Sequence, residues 1–510
     1  MDQLVIGRRA VLGLVGAAGV ATLTGCAVDG PGTGQVLASA APIPPPFKVP
    51  LPIPRVAKTV RRDDTTDYYE VVQKVAKVEI LPGSRTTIWG YDGTFPGPTF
   101  RARTGRRVVV TVRNELPVPT STHLHGGVTP PESDGFPTDL VVPAGYPVHT
   151  AHTSHNGMRM NPADWKFHDR TRDYEYPMVQ QAATLWYHDH RMDFSAPQVW
   201  RGLAGAFLVG DNDEDRLGLP RGDKDIPLLI CDRSFDAHGE FRYPELDSTL
   251  TNPGVTQEFM SGVFGDVILV NGAPWPVLDV ANTRYRFRLI NGSNARRYQL
   301  TGVPLVQIGS DGGLLAAPVR LDALTIAPGE RYDVVVDFSG YPVGTELTLT
   351  NALGEGRTRD VLRFRVARAE KDESVVPASL VPVPVLRRED AVATRQFDFR
   401  LQGGKWTING QPYDTSGSLA APKLDTVELW RFTSDFHHPV HVHLAQFQVL
   451  SRTGRDPEDS DGGWKDTVDI RPYGVVEVLV RFAGYKGRYM MHCHNLEHED
   501  MAMMANFDIV

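Results

Sequence analysis

Beyond residue 60 the chain carries short apolar or alternating runs, such as Arg107–Val112, Tyr285–Ile290, Tyr332–Phe338 and Val475–Phe482. Such runs are strand signals, and no long stretch shows the period of an amphipathic helix. Gly at 48 positions and Pro at 39 break the runs at short intervals. This favours all-β architecture, sandwiches or barrels, with small helices confined to loops. Boundaries are expected in the charged Gly/Pro loop Asp211–Lys224 and in Lys371–Asp390, interrupted by Pro377, Pro382 and Pro384. The expected division is three sandwiches at 60–211, 212–370 and 390–510, with a linker at 371–389. A chain of 510 residues accommodates three domains of about 150 residues each.

The N-terminus follows a different pattern. Arg8 and Arg9 precede an uncharged, mostly apolar run from Ala10 to Gly25 that ends in small residues and is too short to span a bilayer as a helix. Residues 1–26 are therefore expected to be an export signal, with the paired arginines similar to a twin-arginine signal that carries folded cargo. Leu23-Thr24-Gly25-Cys26 resembles a lipobox. Two fates stay open for the exported protein: anchoring through a lipid on Cys26, or release. Residues 27–59, with Pro44-Pro45-Pro46, Pro50, Pro52 and Pro54, are expected to form an extended tether.

Composition narrows the function. Hydrophobic residues make up 41% and charged residues 22%, as in ordinary soluble proteins. Net charge is −8, which leaves no basic surplus for phosphates and argues against nucleic-acid binding. Three cysteines permit at most one disulfide.

The chemistry lies in the histidines. With 16 in the chain, random placement predicts about half a His-x-His pair. Four occur: His123/His125, His188/His190, His441/His443 and His492/His494. Residues i and i+2 of a strand share a face, so each pair can present two imidazoles to one metal cluster. Cys493, between His492 and His494, points the other way, and His438 has the opposite parity to His441 and His443. With His498 these give two imidazoles and one thiolate, the donor set of a blue copper site, for which Met503 is the expected axial sulfur. Zinc, which takes four ligands, would leave most of these histidines unexplained.

These segments resemble the multicopper oxidases, in particular the branch of bacterial spore-coat laccases and bilirubin oxidases. The likeness runs from about Phe47 to the C-terminus, in HLHGGVTPPESDGFP, LWYHDH, LLICDRSF, ILVNGAPWP, YRFRLINGSN, IGSDGGLL, HPVHVHL, GWKDT and GRYMMHCHNLEHEDMAMM. The resemblance implies three cupredoxin-like Greek-key domains and four copper ions, held in the third domain and between the first and third. His438, Cys493, His498 and axial Met503 would hold the type 1 ion, and His123 and His441 the type 2 ion. His125, His188, His190, His443, His492 and His494 would hold the type 3 pair. Donors would lose single electrons near an exposed edge of His498, electrons would pass through Cys493, and dioxygen would be reduced to water. Asp134 and Glu499 match acids proposed to relay protons in the family; a solvated carboxylate is the plainer reading of Glu499.

The sequence departs from that branch in two places. The spore-coat enzyme has a disulfide in its second domain, where this chain has Val263-Phe264-Gly265 and Leu353-Gly354-Glu355, so Cys231 is expected to be a buried free thiol. A longer segment between Gly135 and Trp186 carries His149, His152, His155, Met158, Met160 and His168; a polar surface loop is the plainer reading, and Cu(I) recruitment the other. The leading function is a laccase-like oxidase of phenols, aminophenols or bilirubin-type pigments, acting as a monomer. The alternatives are a cuprous oxidase protecting the envelope, and a non-enzymatic copper-storage or structural protein.

Overall fold

The computed structural model describes residues 30–147 and 161–510. The expected export signal, Cys26, His149, His152, His155, Met158 and Met160 lie outside the described residues.

The runs read as strands form strands at Arg107–Asn114, Arg284–Asn291, Arg331–Asp337 and Val475–Phe482. Their branched residues suit a pleated surface that is buried on the core side, as in the buried Val108, Val110 and Val112. The strands assemble as three successive two-sheet sandwiches. In the first, Thr66–Val78 pairs antiparallel with its neighbour Thr86–Tyr91 and parallel with Arg107–Asn114. A hairpin partner on one side and a parallel partner on the other require a crossover between sheets, the Greek-key arrangement of cupredoxin-like domains. The third sandwich repeats the device, with Ala391–Gln402 antiparallel to Lys405–Ile408 and parallel to Thr426–Ser434. Helices among the described residues are short, at Ser195–Arg201, Asn212–Arg216 and Leu496–Asp500. None of them is long and apolar enough to cross a membrane.

The stretch expected to be a tether is extended but not free. Gln35–Leu37 pairs in parallel with Val263–Gly265, and Pro50 and Val56 bridge to Val277 and Thr99. Leu37 and Leu51 are buried, so apolar residues spaced among the prolines anchor the segment to the body of the protein. Thr33 Oγ1 accepts from the His437 amide, and its carbonyl accepts from Asn495 Nδ2, both in the third sandwich. The linker region likewise packs down: the Val375 amide donates to the Gly218 carbonyl and that of Leu380 to the Ala316 carbonyl.

Charges pair at the boundary of the first and middle sandwiches, where buried groups of the middle one meet the exposed Arg101 of the first. Arg288 Nε donates to Asp225 Oδ1 at 2.7 Å and Arg101 Nη1 reaches Asp225 Oδ2 at 3.1 Å, while Arg286 Nη2 lies 2.6 Å from Glu214. Burial pushes the Asp225 carboxyl up, but Arg288, then Arg286 and Arg101, outweigh it and hold the group far below the usual carboxylate range. A depressed folded pKa stabilises above the unfolded value, near 3.9, and that contribution is lost as pH falls. Asp225→Ala should therefore lower stability by about 3–5 kcal/mol near neutrality, because it strands buried guanidinium groups. The gap from wild type, followed by denaturant unfolding, should narrow below about pH 4; a gap independent of pH would refute the electrostatic origin.

Candidate metal centres

Strand pairing in the third sandwich sorts the donors. Gly487–Cys493 runs antiparallel to His438–Val442, with Val440 opposite Cys493 and His441 opposite His492. Cross-strand partners share a face, so Cys493, Val440 and His438 lie on one side while His492, His441 and His443 lie on the other. The same strand pairs with Met504–Ile509, His492 opposite Met504. The Cys493 amide donates to the Met503 carbonyl at 3.1 Å and the Met503 amide to the His498 carbonyl at 3.0 Å. Through the intervening short helix, these bonds bring His498 back beside Cys493, and Met503 is buried in the core cluster that contains the cysteine.

On that face Cys493 Sγ lies 3.3 Å from His438 Nδ1 and 3.6 Å from His498 Nδ1, and the two nitrogens are 3.2 Å apart. The far nitrogens are held: His438 Nε2 lies 3.2 Å from Asp435 Oδ1 and His498 Nε2 3.1 Å from the Ser261 carbonyl. Burial lowers the pKa of both imidazoles and pushes the Cys493 thiol up.

On the opposite face, two strands of the first sandwich meet the third. Thr122–His125 and Ala183–Asp189 pair with His188 opposite His123. His123 Nε2 lies 3.4 Å from His441 Nε2. His492 Nε2 is 3.2 Å from His443 Nε2 and 3.3 Å from His190 Nε2. The rings of His125, His188 and His494 are 5.0–5.7 Å apart. Most far nitrogens again meet oxygen: His441 Nδ1 the Asp466 carbonyl at 2.9 Å, His188 Nδ1 the Asp189 carbonyl at 2.8 Å, and His443 Nδ1 the Asp134 Oδ2 at 2.7 Å. His125 is reversed, with Nε2 against Asp466 Oδ1 and Thr467 Oγ1 at 3.1 and 3.0 Å.

The donors suit copper. Burial, followed by neighbouring imidazoles, depresses His123, His125, His443 and His494 well below the ordinary histidine value, and His188 to about 3. These rings are neutral and have lone pairs to give. His125 Nδ1, His188 Nε2 and both nitrogens of His494 are buried without a hydrogen-bond partner among the described residues. A buried polar atom left unpaired is costly, and a cation in the space between these rings would satisfy all three residues. Oxygens on the opposite ring nitrogens are the support that metal-bound imidazoles ordinarily have.

Two acids adjoin this cluster. Glu499 is buried, not solvated, with Oε2 3.0 Å from His492 Nδ1 and Oε1 3.5 Å from His190 Nδ1. Burial would raise its pKa, but the two imidazoles hold it below the carboxylate range. Asp134 is pushed up to about 8 by burial. Gly135 follows it with φ +78°, and a Cβ there would run into the Thr122 carbonyl oxygen, so only glycine lets this loop press against the histidine strand.

The chain belongs to the multicopper oxidase family, copper-dependent oxidoreductases that use dioxygen as acceptor. Family models described as multicopper oxidase match residues 73–147, 144–214, 240–353 and 387–510. The chain is 35% identical to a laccase of Bacillus subtilis, over 90% of this chain and 97% of the relative. It is 36% identical to a bilirubin oxidase of Albifimbria verrucaria, over 94% and 84%. Among solved structures, a laccase from Pediococcus acidilactici superposes with a TM-score of 0.80 at 30% identity, covering 92% of this chain and 95% of that one.

One expectation of the copper-site reading changes. His498 has no exposed edge: it is fully buried, capped by Ser261 and stacked beneath Trp406 at 3.6 Å between ring centres. His168 is a half-buried surface residue whose Nε2 lies 2.8 Å from Asp139 Oδ1. Sequence reading missed the residues that orient the donors, Asp435, Asp466, Ser261 and Trp406. The only sequence signal among them was Asp466 in GWKDT, and its contacts lie 25 and 341 positions away. Cys231 and Cys493 are both free and buried, and burial pushes the Cys231 thiol up to about 11. A thiol-alkylating reagent at mildly alkaline pH should therefore spare Cys231 in the folded protein and label it on unfolding, as peptide mapping would show; labelling of the folded state would contradict its burial.

Proposed function

We propose that this protein is a laccase-like oxidase that takes single electrons from small aromatic donors of the phenol, aminophenol or bilirubin type and passes them to dioxygen, forming water. One observation carries the reading: the Cys493 sulfur sits in one donor triangle while the residues on either side of it, His492 and His494, contribute rings to the other cluster. In the proposed assignment His438, Cys493 and His498 would hold the type 1 ion, with Met503 as a further sulfur donor, and His123 and His441 would hold the type 2 ion. His190, His443 and His492 hold one type 3 ion, and His125, His188 and His494 the other, four coppers in all. When bound, copper supplies one-electron redox chemistry at the cysteine site and reduction of dioxygen at the three-ion site.

The residues of the chain do the rest. Cys493 and its two neighbours form a path of a few covalent bonds between the clusters. Ser261 and Trp406 fix the His498 ring and keep donors off it, so a donor gives its electron across the wall formed by these residues and Met260, whose carbonyl accepts from Trp406 Nε1 at 3.1 Å. Forming water consumes protons, which would be relayed through Glu499 beside His492 and His190 and through Asp134 beside His443. The likeness to relatives named bilirubin oxidase and laccase supports the organic-donor reading, and Cu(I) remains the second donor to test. We further place the protein outside the cytoplasm as an exported monomer, either lipid-anchored at Cys26 or released.

Oxygen uptake by the copper-loaded protein should be faster with a methoxyphenol, an aminophenol or bilirubin than with Cu(I) at matched concentration; the reverse order would favour copper detoxification. Glu499→Gln should slow oxygen reduction by about 100-fold or more and keep the blue absorption; uptake equal to wild type across pH would remove Glu499 from proton delivery. Met503→Leu should raise the type 1 potential, and an unchanged potential in a redox titration would exclude Met503 as axial ligand.

A further inference from the structure

The middle sandwich supplies no donor to either cluster, yet one of its turns reaches the larger one. At Gly329 an added Cβ would lie 2.9 Å from His494 Cδ2 and 3.1 Å from His125 Cε1, so bare backbone packs against both rings. Two residues on, the fully buried Arg331 grips Asp466 with both arms of its guanidinium, Nη1 to Oδ1 and Nη2 to Oδ2, each at 2.6 Å. Its Nε donates to the Thr184 carbonyl of the first sandwich at 3.0 Å. One side chain of the middle sandwich thus binds both of the others.

Asp466 is the residue that orients donors. Its Oδ1 lies 3.1 Å from His125 Nε2 and 3.4 Å from His441 Nδ1, which its carbonyl also meets at 2.9 Å. The surroundings fix Arg331 and Asp466 from behind. Asp311 accepts from the Arg331 amide at 2.7 Å and from the amides of Asp466 and Thr467 at 3.3 Å, and Lys465 Nζ lies 3.1 Å from Asp311 and 3.2 Å from Glu330. Gly126, next to His125, has φ +85°, and a Cβ on it would meet Arg331 Nη2. The residue after the donor histidine is glycine where the guanidinium needs the space.

We propose that Arg331 is a positioning residue of the three-ion site: by clamping both carboxylate oxygens of Asp466 it sets the ring orientations of His125 and His441. The proposal rests on the ligand assignment given above. A planar two-point fork stops the carboxylate from rotating, and a lysine, a point charge on a flexible stem, cannot do the same.

The test compares copper-loaded wild type with Arg331→Lys, Arg331→Met and Asp466→Asn, and with Asp225→Ala as a variant weakened at the contact between the first and middle sandwiches. The readouts are blue absorption per protein, the electron spin resonance of the type 2 ion, thermal unfolding, and retention of copper against a chelator. Arg331→Lys and Asp466→Asn should keep the blue absorption, alter the type 2 spectrum and hold the three-ion copper about 10- to 100-fold more weakly. Asp225→Ala should unfold more readily with an unchanged type 2 spectrum. Wild-type spectrum and copper retention in Arg331→Lys would overturn the proposal, as would the same losses in Asp225→Ala. If Arg331→Met fails to fold, Arg331→Lys, which keeps the charge, decides. A wild type that binds only one copper would overturn the ligand assignment instead.

Discussion

The alternation of side chains along a single strand governs the rest of this molecule. Because neighbours in Gly487–Cys493 and just beyond point to opposite faces, Cys493 faces one donor set while His492 and His494 face another. A slip of one residue in the pairing with His438–Val442 would exchange the faces, turning Cys493 away from the smaller cluster and His492 and His494 away from the larger. The register is secured on both flanks, by His438–Val442 on one side and Met504–Ile509 on the other, and by a buried core that includes Val440, Met491, Met503 and Phe507.

Around that strand, burial serves chemistry more than stability. Neutral imidazoles packed among one another are an expensive way to fill a protein interior, and the structure offsets the expense with an outer layer of oxygens. Asp435, Asp466, Asp134 and backbone carbonyls take up the second nitrogen of most rings. The acids of the C-terminal helix are equally confined. Glu497 accepts from Tyr243 and Asn294, and Asp500 accepts the Ser195 and Ala196 amides that open the helix Ser195–Arg201. Every acid from Glu497 to Asp500 therefore has its own partner, and only Glu499 is turned toward the histidines.

Much of this was legible in the sequence, for a physical reason. Strand periodicity is local, so the strands and the parity of Cys493 against its neighbours could be read from a few residues, and donors spaced two apart declare a shared face. Contacts that depend on tertiary closure could not be read this way. Arg331 and Asp466 are 135 positions apart, and Ser261 caps His498 across 237. The stretch from residue 30 to 59 has the composition of a free linker, yet Leu37 and Leu51 find slots in a surface that only the folded chain provides. Burial of His498 was hidden for the same reason, since Trp406 and Ser261 come from two different sandwiches.

The bond from Asn495 to the Thr33 carbonyl joins positions 462 apart. Contacts of that span form late, because a loop of nearly the whole chain must close before they return any stabilisation. The loop carrying Cys493, Asn495 and His498 lies within the last 20 residues, and its outer support lies within the first 40. The first sandwich can thus form before that long loop closes, whereas the surroundings of Cys493, Asn495 and His498 are complete only once it has closed.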